Sequence, residues 1–191
     1  MKNGSVTDDI RAAEALLGNE EFEAVIPLAD AIVAAGEPGL IDGLILRASA
    51  YEKWQSGPEE RLSRALADWE RLKELAPGPI VYRNLARLLL KLGRHQEAFD
   101  CLMKARTERS PPELLLGFAR YYESKVPPDI DAARSYYFRA AMKGRSRGIR
   151  RYVELSMDNG KPFQAIAMLM AGLMATPVLA LVLGQRRHHD L

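Results

Sequence analysis

Five alanines constrain this chain more than any other feature. Each is followed by an apolar residue four positions on and a small or apolar residue three further. The trios are Ala24-Leu28-Ala31, Ala65-Trp69-Leu72, Ala98-Leu102-Ala105, Ala133-Tyr137-Ala140 and Ala165-Leu169-Gly172. A step of four and then three keeps all three side chains on one face of an α-helix. The ladders recur after 41, 33, 35 and 32 residues. Self-similarity at that period marks stacked helical hairpins, none of which can bury its apolar face alone.

Another helix precedes four of the ladders. Tyr82, Leu85, Ala86 and Leu89 lead into Ala98, and Ile149, Tyr152, Val153 and Ser156 lead into Ala165. From the first residue of each run, Tyr82–Ser110 and Ile149–Pro177, the offsets are the same: 3, 4, 7, 16, 20, 23 and 28. Leu115, Phe118, Ala119 and Tyr122 follow the scheme with two extra residues before Ala133, and Leu44, Ala48 and Tyr51 with five extra before Ala65. The extras fall at Ser56-Gly57-Pro58 and Val126-Pro127-Pro128, where turn residues belong. Helix ends are marked at Ala76-Pro77-Gly78-Pro79, Ser110-Pro111-Pro112 and Asn159-Gly160-Lys161-Pro162. The alanines let helices approach closely, while Trp69, Tyr82, Tyr122 and Tyr137 fill the gaps between layers.

These residues resemble the tetratricopeptide repeat, with its Leu-Gly/Ala on a first helix and its Ala, aromatic or Leu, then Ala on a second. The segment Leu92-Gly93-Arg94-His95-Gln96-Glu97-Ala98 resembles that family's inter-helix turn. The block from Val126 through Ala133, Tyr137, Ala140-Ala141 and Gly144 is more similar to the related Sel-one-like repeat. The resemblance covers about four-fifths of the chain and is weakest over residues 8–36. It implies an all-α fold, a right-handed α-solenoid of about ten helices stacked as antiparallel pairs. The expected organisation is one helical-repeat domain over residues 1–191. Its repeats fall near 8–38, 41–78, 79–111, 112–145 and 146–177, with a C-terminal cap at 178–191.

The net charge of +2 hides an asymmetry. Residues 1–60 carry 4 basic and 12 acidic side chains, net −8, and residues 61–191 carry 23 and 13, net +10. The two regions should differ in partner preference. A single cysteine, Cys101, excludes an internal disulfide and reads as a small core residue. No apolar stretch of signal-peptide type precedes residue 40, so a cytoplasmic location is expected.

No catalytic constellation, glycine-rich phosphate loop or nucleophile elbow is present. His95 falls at a hairpin turn, and His188-His189 lacks an accompanying ligand cluster, so no metal or cofactor is expected. The one surface signal is basic. In the family the first helices line a concave groove. Carried onto this sequence, the groove positions are Arg83, Asn84, Arg87 and Lys91, then Arg120, then Arg147, Arg150 and Arg151. Arginine forks suit carboxylates and phosphates. The alternative is a solvated helix face balanced by Glu123, Glu154 and Asp158. Chaperone-binding members use a Lys/Asn set in their first repeat; Ile45 and Ser49 stand at the matching places, which speaks against a chaperone tail.

The expected function is therefore a non-catalytic adaptor or scaffold that holds an acidic peptide or protein surface. Residues 165–184 form an uncharged run of bilayer-spanning length followed by Arg186-Arg187. Two alternatives rest on it: a membrane-associated assembly factor, and self-association through the apolar C-terminus. A third class, an RNA-binding helical repeat, has the basic charge but no interleaved exposed aromatics.

Overall fold

A computed structural model of the chain describes residues 3–107 and 110–170, with side chains from residue 6 onward. The architecture is all-α, and successive helices pack as antiparallel pairs. The chain forms two compact units, Met1–Glu108 and Arg109–Leu191. Unit 1 holds α1 (Asn3–Gly18), α2 (Phe22–Ala35), α3 (Leu40–Lys53), α4 (Arg61–Leu75), α5 (Pro79–Lys91) and α6 (His95–Lys104). Unit 2 holds α7 (Pro112–Ser124), α8 (Ile130–Met142), α9 (Ser146–Asp158) and a helix, α10, described over 162–170. Within each unit every helix from α1 to α9 packs on the next in sequence, and α1 also touches α3.

Local chemistry sets the helix starts. Pro79 and Pro112 open α5 and α7, where the missing N–H costs nothing. Asp129 caps α8 by accepting the Ala132 N–H at 3.0 Å. Three of the turns share one backbone device. Gly93, Gly144 and Gly160 sit at positive φ, and the following N–H reaches back five residues: Arg94 to Leu89 O, Arg145 to Ala140 O, Lys161 to Ser156 O. This is the six-to-one closure that follows a left-handed C′ residue. The α1–α2 turn makes the same closure, Glu21 N–H to Leu16 O, but with Glu20 at φ 65° in the glycine's place.

The ladders form the core. Ala65, Trp69 and Leu72 are fully buried, as are Ala98 and Leu102, and Ala133, Tyr137 and Ala140 are buried in unit 2. Two ladders need correction. In α2 the buried trio is Val25, Ala29 and Ile32, while Ala24 and Ala31 are exposed and Leu28 is half-buried. The helix carries two ladders of identical spacing one residue apart, and the one with the β-branched side chains takes the core because it buries more apolar surface. In α10, Ala165 is buried, but Met168 packs inward and Leu169 is 46% exposed. Gly172, and 171–184 of the apolar run, lie outside the described residues. Among those described, no helix is long and apolar enough to cross a membrane.

Ion pairs tie neighbouring helices. In unit 1, Arg47 of α3 donates through Nε and Nη2 to both carboxylate oxygens of buried Asp68 on α4, at 2.9 and 2.7 Å. Its Nη1 donates to Asp30 of α2 at 2.7 Å. One guanidinium thus fixes three helices. In unit 2, Arg134 of α8 plays the same part. It is 6% exposed and donates to Ser156 Oγ of α9 at 3.0 Å and to Gln164 of α10, and it lies over the Tyr152 ring. The α8–α9 crossing is closer still. A Cβ on Gly148 would lie 2.8 Å from Ala141 N and Tyr137 O, so only glycine fits.

Two outcomes follow for chemical denaturation. Arg47→Met leaves the Asp68 carboxylate buried and unpaired and should cost about 3 kcal/mol, most of it recovered by adding Asp68→Leu. At the turns, Glu20→Gly should raise the urea midpoint and Gly93→Ala lower it, each by about 1 kcal/mol of stability, because only glycine holds a left-handed φ without strain.

Candidate functional site

The eight basic and amide positions expected to face a groove divide equally between the units. Arg83, Asn84, Arg87 and Lys91 lie on α5. Arg120 lies on α7, and Arg147, Arg150 and Arg151 lie on α9.

On α5 the cations are engaged within unit 1. Glu52 of α3 has a side chain only 2% exposed and sits between Arg87 and Lys91, with N···O distances of 2.7 and 2.9 Å. Lys91 also reaches the Glu52 carbonyl at 3.4 Å. Arg83 and Asn84 are half-buried, and Arg83 is not free either. Much of the positive charge on this helix therefore neutralises a buried carboxylate, which would be costly to leave unpaired.

Unit 2 is different. Leu116, Arg120 and Glu123, spaced four and three on α7, face Arg147, Arg150, Arg151 and Glu154 of α9. Spacings of three and four put each set on one helical face. Together with Tyr137 of α8 they line a cavity of about 410 Å³. A hydrogen-bonded chain runs through its lining. The Tyr137 hydroxyl donates to Glu123 Oε2 at 2.7 Å, and Arg151 Nε donates to Glu123 Oε1 at 2.9 Å. Arg151 Nη1 donates to Glu154 Oε2 at 2.7 Å, and Arg150 Nε to Glu154 Oε1 at 2.8 Å.

The titrations follow from these contacts. Burial pushes the Glu123 carboxyl up, but the hydrogen bonds from Arg151 and Tyr137 outweigh it and hold it below the ordinary glutamate range. Burial, then the bond to Glu123, raises the Tyr137 phenol. Hydrogen bonds from Arg150 and Arg151 lower Glu154. Both carboxylates are thus charged at neutral pH, and both are already occupied by arginine.

Four guanidinium groups face two carboxylates. Among the described residues, Arg120 and Arg147 make no hydrogen bond or ion pair and are exposed. Arg120 adds only a through-space attraction to Glu123. Asp158, expected to help balance the face, is not part of the lining. Sequence reading took Tyr137 as a packing residue only and did not find Glu52. The signal for Tyr137 was masked by its place in the ladder, and Glu52 lies 35 residues from the arginine it pairs with. Among the described residues, no group of three or more His, Cys, Asp or Glu side chains is placed to hold a metal ion. His188 and His189 lie outside the described residues.

Because the folded Glu123 value lies below the unfolded one, its contribution to stability is present above about pH 4.3 and is lost as pH falls through the folded value. Glu123→Gln should flatten the acid limb of a urea-midpoint profile followed by circular dichroism below about pH 4.3. A limb as steep as wild type would mean that the Glu123 contacts do not stabilise the fold.

No protein-family model matches the sequence, and none of the curated proteins matches it. Solved structures do. The crystal structure of MamA protein is 14% identical, with a TM-score of 0.65 covering 100% of this chain and 98% of that one. BtubC (BKLC) from P. vanneervenii is 16% identical, with a TM-score of 0.67 over 92% and 82%. A putative kinesin light chain of Podosopora anserina, with nearly identical TPR-like repeats, is 17% identical, with a TM-score of 0.60 over 93% and 96%. At these identities the likeness shows the fold alone: an all-α arrangement of sequential antiparallel helix pairs of the tetratricopeptide-like kind.

Proposed function

We propose that this protein is a non-catalytic interaction scaffold that holds an acidic segment of a protein partner in the arginine-lined cavity of unit 2. The observation that supports this reading is the surplus of cations there. Arg150 and Arg151 are met by Glu123 and Glu154, and Arg120 and Arg147 make no ion pair among the described residues. Guanidinium groups offer two parallel donors to an oxyanion, and a half-enclosed site strengthens the attraction over that in bulk water. The α5 positions contribute less, because Glu52 already pairs with Arg87 and Lys91.

Charge reversal tests this most cleanly at the two unpaired arginines, where no internal ion pair is lost. The partner set captured from native lysate by wild type should be lost by a folded Arg120→Glu/Arg147→Glu variant whose helicity matches wild type by circular dichroism. Two exposed, like-charged side chains in place of the arginines should weaken an acidic partner at least tenfold. The same partners retained at wild-type strength would remove the cavity from consideration.

A further inference from the structure

Resting on that reading, we propose that the group seated in the unit 2 cavity is a doubly charged phosphoryl group, carried on a segment of the protein partner. The first argument is charge. Arg120, Arg147, Arg150 and Arg151 face Glu123 and Glu154, which leaves the lining with two uncompensated positive charges. A phosphoserine or phosphothreonine carries close to two negative charges at neutral pH on three acceptor oxygens.

The second argument is exchange. Glu154 already bridges Arg150 and Arg151 with a carboxylate. An incoming aspartate or glutamate that displaced it would swap one carboxylate for another and gain little. One that settled on Arg120 and Arg147 instead would leave one of the two charges uncompensated. A phosphoryl dianion compensates both, and its extra oxygen can accept donors from α7 and α9 at once. Glu123 is not open to exchange, because Arg151 and Tyr137 hold both of its oxygens. The lining contains four arginines and no lysine, and the fork of each arginine matches phosphoryl oxygens bidentately. At about 410 Å³ the cavity falls within the range of small-ligand pockets, roughly 300–1,000 Å³, which leaves room for the residue bearing the group.

A dianion also has a pH signature. Its second ionisation falls near pH 6, so binding should weaken as pH drops through that value. The groups facing it are Arg120 and Glu123 from α7, Tyr137 from α8, and Arg147, Arg150, Arg151 and Glu154 from α9. Arginine stays charged throughout. Glu123 and Glu154 are held low and Tyr137 is held high, so none of these shares the window.

Isothermal titration of the full chain with one peptide sequence in three versions tests the proposal. The central position carries phosphoserine, two glutamates or serine, and inorganic phosphate serves as a fourth titrant. At pH 7.5 the phosphoserine peptide should bind at least tenfold tighter than the two-glutamate peptide. Its advantage should shrink severalfold at pH 5.5. Arg120→Gln/Arg147→Gln should abolish the advantage while keeping wild-type helicity, and Arg71→Gln on α4 should leave it intact. If the two-glutamate peptide binds as tightly, the phosphoryl assignment is wrong while the acidic-segment reading stands. If no peptide binds, both fail. If inorganic phosphate binds as tightly as the phosphoserine peptide, a protein segment is not the carrier.

Discussion

A carboxylate buried between helices must find a cation, and that requirement sets the register of α2 to α5. Asp68 is 5% exposed on α4, and its charge is tolerable only because the Arg47 fork meets both oxygens. The third Arg47 contact, to Asp30, carries the constraint back to α2. Glu52 repeats the arrangement between α3 and α5. Apolar packing alone would allow neighbouring helices to slide by a turn at modest cost. Charged pairs with short, directional bonds do not allow it, since a one-turn slip strands a buried charge. Small residues set how near the helices come, and ion pairs set where along their length they meet.

The same logic makes the unit 2 cavity a composite of structure and opportunity. Glu123 and Arg151 join α7 to α9 and belong to the scaffold as much as to any site. Arg120 and Arg147 stand on the same two helical faces without a structural duty among the described residues. Position on a rigid helix orders the backbone beneath each arginine before anything binds, which lowers the entropic cost of capture.

Helix existence, pairing and most of the core were legible in the sequence because they depend on local spacing. Ala98-Leu102 and Ala133-Tyr137-Ala140 are buried as their period requires. The misreadings are also local. In α2 the spacing is degenerate, and only the tertiary neighbours decide that Val25-Ala29-Ile32 faces inward. At α10 the inward residue moves from Leu169 to Met168, which the four-then-three step does not foresee. The candidate site was legible as a set of residue types on first helices, but the sequence could not say which cations were already occupied. Arg87 and Glu52 are 35 residues apart, and Arg151 and Glu123 are 28 apart, so their pairing is a property of the packed chain.

The hairpin turns carry a consequence of their own. Four of them (α1–α2, α5–α6, α8–α9 and α9–α10) close through main-chain atoms, with a left-handed residue followed by an N–H reaching back five positions. At those turns the angle between successive helices is therefore written largely in the backbone, with little call on the outward side chains. A chain built this way can exchange nearly all of its surface over evolutionary time and keep its form. That is consistent with solved structures of the same fold sharing only 14 to 17% of their residues with it. Recognition can then evolve one side chain at a time, on a frame that does not have to be reinvented for each new ligand.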